Sequence, residues 1–437
     1  MLFGLDPLVT ATVILGITYA LVISDRFDRS ILALLGGGAM IASGVLTQQE
    51  AIRGIDFNTI ALLAGMMILV AIARRSGMFE LLAIWSAQRV RGSPAGVLCL
   101  LSLVTAVVSA FLNNVTLVLV IAPVTLSIAQ RLRVPPYPFL VAVIMASNIG
   151  GAATLVGDPP NMMIGSAAAL SFNAFILNLA PVTIVVMACQ LLATHLIWGR
   201  RTGTTREARE AVMAIAARSA ITDQRLLWLS LLVFAVTLLG FVFATPLHLE
   251  DGTVALIGAA ALMLLDNIVH HHSLHAERTI AIYGDVDWIT IFFFVGLFVV
   301  VHGVETTGGL ARIAQALSAA THGNLAVAAS AILWGSAILS AIVDNIPFVA
   351  AMIPVVKVLA PAVGGEPALA PLWWALALGA SLGGNATLIG ASANLAVAGI
   401  ARRAGLRFDF LGYARYAAPL TVLSLAICQL YLWLRYF

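Results

Sequence analysis

The sequence predicts an all-α polytopic membrane protein made of two inverted repeats. Each repeat holds a hairpin and a broken transmembrane helix, with about ten crossings in all. Three observations carry this expectation. The 437 residues are 61% hydrophobic and only 10% charged, against roughly 25% charged in soluble domains. The apolar residues form long continuous runs, not the alternation of a barrel strand. The chain also matches itself at a nearly constant offset.

Apolar runs long enough to span lie near 7–24, 31–47, 57–73, 178–198, 225–244, 252–269, 288–303 and 414–434. The stretches 94–131 and 324–360 each read as two apolar arms joined by a short polar tip. The stretches 137–170 and 371–401 each read as a span interrupted by Gly-rich sequence. Residues 1–56 are then N-terminal scaffold helices, 57–198 the first repeat and 199–224 a linker. Residues 225–287 supply further scaffold helices and a His-containing loop, and 288–437 the second repeat. Met1 to Thr10 carries no basic n-region and no cleavage site, so the first run reads as a retained span.

The arginines set the orientation. With the basic 199–224 loop in the cytoplasm, alternate crossings leave only Arg53, Arg312, Lys357 and Arg435 on the other side. Both termini then face outward in a plasma (inner) membrane.

The repeat is visible at an offset of 231, where Gly65 meets Gly296, Gly77 meets Gly308, Asn114 meets Asn345 and Pro123 meets Pro354. At an offset of 233, Gly150-Gly151 meets Gly383-Gly384, Thr154 meets Thr387, Gly157 meets Gly390 and Asn161 meets Asn394. Five crossings separate Gly65 from Gly296, so the second copy enters from the opposite face. That is the architecture of many secondary transporters, with the site at the repeat interface. After Gly77, the residues Met78, Leu81, Leu82 and Trp85 form an apolar stripe at helical spacing, read as a helix along the membrane surface. Leu310, Ile313 and Leu317 form its mate.

Irregular backbone at membrane depth survives only inside protein or beside a wet cavity. The breaks are therefore read as half-helix ends that bind ions or polar solutes: helix 137–147 ends at one and helix 161–170 begins there. The candidate solute-binding residues are Asn148, Gly150, Gly151, Thr154 and Asn161 in the first break, and Gly383, Gly384, Asn385, Thr387, Ser392 and Asn394 in the second. From the tips 112-LNNVT-116 and 343-VDNIP-347 come Asn113, Asn114, Thr116 and Asn345. Asp158 and Asp344 are the notable intramembrane acids, read as carriers of a proton or partners of Na⁺. No arginine or lysine falls within either break or tip.

Cys99, Cys189 and Cys428 lie in apolar runs and read as core. His270, His271, His272 and His275 read as a solvated loop before a metal site. The breaks hold no nucleophile–base pair, so no enzyme is expected, and nothing points to nucleic acid or a bound cofactor beyond H⁺ or Na⁺. No nucleotide-binding P-loop occurs.

The stretches 148-NIGGAATLVGDPPN-161, 344-DNIPF-348 and 383-GGNATLIGASAN-394 resemble the ArsB/NhaD branch of the ion transporter superfamily, especially its P-permease-like members. The resemblance covers nearly the whole chain. It implies a homodimer of scaffold and transport parts, two re-entrant hairpins opposed to two broken helices, and elevator-like alternating access. P-permease-like members typically read LDNVT at the first tip, where this chain has Asn113. That leaves Asp344 as the acid there. The favoured expectation is proton-coupled efflux of a small inorganic solute, arsenite or antimonite, whose uncharged hydroxyls match the amide-rich site. Like some arsenite carriers, the chain could work with an ATPase subunit. The alternatives are a Na⁺/H⁺ antiporter and a carboxylate or inorganic-anion carrier.

Overall fold

A computed structural model describes residues 6–24, 26–270, 275–321, 323–360 and 365–437. Among these there is no strand. The first half runs α1 (Pro7–Ile23), α2 (Arg29–Ala42), α3 (Gln48–Arg53), α4 (Phe57–Arg75), α5 (Met78–Arg89), α6 (Pro94–Ser109), α7 (Asn114–Arg131), α8 (Tyr137–Gly151), α9 (Pro159–Ala167) and α10 (Phe172–Thr194). After the linker helix α11 (Arg206–Met213), the second half runs α12 (Gln224–Ala244), α13 (Asp251–Val269), α14 (His275–Gly284), α15 (Trp288–Thr306), α16 (Gly309–Ala320) and α17 (Leu325–Ile342). It ends with α18 (Asn345–Val358), α19 (Ala370–Gly383), α20 (Ser392–Arg403) and α21 (Phe410–Tyr436). The two lists pair off element by element, α1 with α12 through α10 with α21.

Local chemistry explains why the helices begin where they do. Asp6, Asp28, Asp56, Asp223, Asp287 and Asp409 each accept a backbone N–H at the start of a long apolar helix. An orphan donor at a helix start needs such an acceptor, most of all near lipid. Asp56 and Asp287 are repeat mates, and both also accept a hydroxyl proton, from Thr59 at 2.6 Å and from Thr290 at 2.5 Å. Gly77 and Gly308 both sit at φ +79, ending α4 and α15 in the same left-handed turn.

The halves are interlocked. Gly65 on α4 lies against the backbone of Ala255 on α13, while its mate Gly296 on α15 lies against the backbone of Ala33 on α2. Thus α2 fills a groove on the other half's α15, and α13 fills the matching groove on α4. Small residues at such crossings let apolar helices approach closely in lipid.

The linker marks one face of the protein. Gly92, just before α6, lies against Arg209, and Thr204 donates to the carbonyl of Leu132, just after α7. Both ends of the first hairpin therefore meet the linker face. The ends of the second hairpin meet the opposite face. There Gln429 near the end of α21 donates to Ser330 near the start of α17, and Lys357 near the end of α18 lines a cavity of about 300 Å³ with Arg53, Asp56 and His302. Each hairpin returns to the face it left and is re-entrant. Eight described helices are long and apolar enough to cross a membrane, but two of these, α7 and α17, are hairpin arms. The other six are α4, α10, α12, α13, α15 and α21, and α1, α2 and α8 are shorter apolar helices.

Three expectations change. The first broken helix stays helical through Gly151, not 147, because its glycines let α8 press against α6, with Gly150 over the Ala106 backbone. The buried face of α5 is Met78, Phe79, Ala83 and Ala87, while Trp85 is 47% exposed. Of the expected stripe Met78 is buried, Leu81 and Leu82 are half-buried and Trp85 faces out, so the buried face is rotated from it. His270 bridges carboxylates, Asp223 at 2.6 Å and Asp266 at 3.2 Å, with Asp266 also held by Arg278 at 2.7 Å. His271 and His272 lie outside the described residues, as do residues 1–5 and the side chains of His275, Ile313 and Leu317.

Candidate functional site

The two breaks meet at the centre. After α8 the chain unwinds until Asp158 starts α9, with Pro159 and Pro160 in its first turn. After α19 a short 3₁₀ turn, Gly384–Ala386, precedes the unwound stretch before α20. Proline cannot donate a helical N–H, so the double proline fixes where the second piece of the first span begins.

Much of the polar sequence in the breaks satisfies the breaks themselves. Asn161 donates to the carbonyl of Thr154 at 2.9 Å, and its mate Asn394 donates to those of Gly384 and Thr387 at 2.8 Å. Thr154 donates to the carbonyl of Ala110, and Thr387 to that of Ala341 at 2.5 Å, tying each break to its own hairpin. Gly384 lies against the carbonyl of Gly390 and Gly383 against the backbone of Ala337, where side chains would not fit, and Gly151 lies close against the carbonyl of Gly157. These residues close the backbone account of irregular buried chain. Thr116, half-buried in the first turn of α7, makes no hydrogen bond to the cluster.

The remaining residues form a network across the repeat boundary. Asn148 donates to Oδ1 of Asn385 at 2.8 Å and of Asn394 at 2.9 Å, and accepts from Asn114 at 3.2 Å. Asp158 is 1% exposed. One of its oxygens accepts from Asn114 at 3.3 Å and the other from Asn345 at 3.2 Å, so a carboxylate from a break joins both hairpin tips. Asn113 caps α7 through the N–H of Val115 at 2.9 Å, and Asp344 caps α18 through that of Ile346 at 3.3 Å. A cavity of about 20 Å³ lies among Asn113, Asn114, Asp158, Asn345 and Ser392. That is room for roughly one water-sized particle.

Sequence reasoning missed a cation. Arg29, placed in the basic flank, reaches in from the start of α2 and lines the same cavity. Its guanidinium donates to Asp344 at 2.8 Å, Ser392 at 2.7 Å and Thr290 at 2.8 Å, and stacks 5.3 Å from the Phe293 ring centroid. Ser392 also donates to Asp344 at 2.6 Å. A second cavity of about 280 Å³ borders this pair where α1 ends and α2 and α15 begin. The repeated Asp-x-x-Thr caps at 56–59 and 287–290 were the signal that could have drawn Thr290 into the site. A larger cavity of about 370 Å³ between α6, α8 and α10 is lined by no titratable residue and offers nothing to a charged solute.

Opposed broken helices, re-entrant hairpins and a polar centre in an apolar chain define a multi-pass membrane transporter. The chain belongs to the citrate transporter family (CitMHS), whose model matches residues 19–379. It is 42% identical over 433 residues to an uncharacterized transporter of Mycobacterium tuberculosis, covering 98% of this chain and 99% of the relative. It is 34% identical to the human P protein, covering 97% of this chain and 59% of that one. The Alcanivorax borkumensis YdaH transporter, described as having an unusual topology, shares the fold at a TM-score of 0.63 and 16% identity, covering 98% of this chain and 97% of that one. The Neisseria gonorrhoeae MtrF structure, described with a class of antimetabolite efflux pumps, aligns at a TM-score of 0.59 and 13% identity, covering 99% and 95%. The family matched is the citrate transporter one, a coarser assignment than the ArsB/NhaD branch that the motifs resemble.

Proposed function

We propose that the protein is a cation-coupled secondary transporter of a small anion, with carboxylates the first class to test. The observation that carries this reading is Arg29, a cation held beside the central cavity by Asp344 and Ser392. Guanidinium groups recognise carboxylates in a two-pronged geometry. The N-termini of α9 and α20 add partial positive charge at the same place. The family's description as citrate transporters supports the same class.

Arg29 moves the balance away from arsenite or antimonite, whose uncharged hydroxide form gains no ionic attraction from a fixed cation. In this reading Asp158 holds the coupling cation, H⁺ or Na⁺. The two hairpins and two broken helices move as an elevator against a frame of α1–α4 and α12–α15, in a homodimer within the ArsB/NhaD-related superfamily. The 199–224 linker lies in the cytoplasm. Purified protein in liposomes, given labelled citrate, succinate or arsenite under an imposed pH or Na⁺ gradient, tests it. Carboxylate uptake that needs the gradient supports the reading. Gradient-driven arsenite movement without any carboxylate movement sinks it.

A further inference from the structure

The repeat places unlike chemistry at matching positions. At the hairpin tips Asn113 corresponds to Asp344, and at the breaks Asp158 corresponds to Ala391. Each half thus brings one carboxylate to the centre, but from non-equivalent places. Their surroundings differ as well. Asp344 has a cationic partner, Arg29, at 2.8 Å, itself anchored to Thr290 at 2.8 Å and stacked on Phe293. Asp158 has none among the described residues, and its oxygens meet only neutral donors, the amides of Asn114 and Asn345 and the hydroxyl of Ser381.

Removing a carboxylate from water costs several kcal/mol, and neutral amides offset only part of that. Asp158 therefore needs a positive partner that the described residues do not supply, and the cavity of about 20 Å³ beside it has room for a single small cation. Asp344 has no such need. Arg29 comes from α2, outside both hairpins and both broken helices, and α2 is packed into α15.

We infer that the protein binds one coupling cation, at Asp158 between Asn114 and Asn345, and that Arg29 is a tethered cation standing where a second coupling ion would otherwise be needed at Asp344. This rests on the reading of the site as cation-coupled, and it fixes the number of mobile ions. Loss of Arg29 should create a second ion requirement, because it exposes the carboxylate that Arg29 neutralises. Loss of both Arg29 and Asp344 should not.

The test is thermal stabilisation of the purified full chain by NaCl against choline chloride at fixed pH, and by lowered pH in choline alone. The first arm reads Na⁺ and the second reads H⁺. Ligand-linked stabilisation grows with the number of ions bound. The wild type should follow a single-ion dependence in one arm, and Asp158→Asn should abolish it. Arg29→Gln should steepen the same dependence towards that of two ions. Arg29→Gln/Asp344→Asn should return it to the wild-type form. That double variant buries no unpaired charge, so it decides the matter if Arg29→Gln does not fold. A two-ion dependence in the wild type, a response that survives Asp158→Asn, or its loss in the double variant overturns the inference, as does a wild type silent in both arms. No carboxylate is present and chloride is held equal in the two salts, so a failed carboxylate assignment leaves these outcomes readable.

Discussion

Asn148 on α8 donates to Asn385 beyond α19 at 2.8 Å, joining the first broken helix to the second. The same amide group reaches Asn394 at 2.9 Å, and its oxygen accepts from Asn114 at 3.2 Å. One side chain thus ties both breaks and a hairpin tip, and it is 1% exposed. The repeat mate of Asn148 is Ser381, so this clasp is made from one side only.

Asn148→Ala should cost about 3 kcal/mol, because it removes three buried hydrogen bonds and strands their partners. The cost is read as a lower melting temperature in detergent. Asn148→Ser should recover part of it. A melting temperature equal to wild type for the alanine variant would show that the clasp is not a structural tie.

Gly65→Ala and Gly296→Ala should each destabilise by about 1–3 kcal/mol, the usual range for overpacking. A Cβ at Gly65 would stand 2.6 Å from the carbonyl carbon of Ala255, and one at Gly296 would meet the backbone of Ala33. Both crossings are backbone against backbone, so neither can relax by turning a side chain. Gly38→Ala, on α2 with nothing within 4 Å, should be neutral. Equal melting temperatures for all three variants would contradict the interlocked packing.

The Asp223 carboxyl at the start of α12 lies outside the spans and titrates below the usual carboxylate range. Partial burial works against this, but the N–H groups of Leu226 and Arg225 and the His270 ring outweigh it. A group whose folded value is depressed stabilises above its unfolded value, about 3.9, and that contribution is lost as pH falls through the folded value. Asp223→Ala should therefore cost about 1 kcal/mol at neutral pH, the worth of a helix cap. The gap in melting temperature from wild type should narrow below about pH 4. A gap constant with pH would mean that the charge is not what matters.

Single cysteines at Arg201 and His248 should label from opposite sides of the membrane. The background would have Cys99, Cys189 and Cys428 replaced by serine or alanine. Both positions are exposed, Arg201 in the linker and His248 between α12 and α13 at the other face. With the linker in the cytoplasm, an impermeant maleimide added to intact cells reacts at 248 and not at 201. The reverse pattern would invert the proposed orientation.

Much of the fold was legible because lipid leaves few choices. Long apolar runs must be helices, and polar backbone breaks must be sheltered, so the opposed breaks near Gly150 and Gly383 could be read directly. The matching offsets gave the inverted repeat. What could not be read was whether each tip at Asn113 and Asp344 ends a full crossing, since crossing parity is the same either way. It took the contacts of Leu132 and Ser330 with the two faces to decide. At the site, the amides and acids stood out, but a side chain's task did not. Thr154, Asn161 and Thr387 bond the irregular backbone beside them, which composition cannot separate from binding a solute. Arg29 was hidden because a basic residue at the edge of an apolar run ordinarily marks a membrane flank, and its partner Asp344 is 315 positions away.

The exchanged packing of α2 on α15 and α13 on α4 bears on how the chain is born. When the ribosome has finished the first half, α4 still lacks the helix that fills its groove, and α2 lacks its seat. Neither half can reach its final form before the other emerges, so assembly must await the distant partner segments while early ones stand unmatched in lipid. A gene cut within the 199–224 linker should yield stable protein only when both pieces are made in the same cell, with either piece alone degraded.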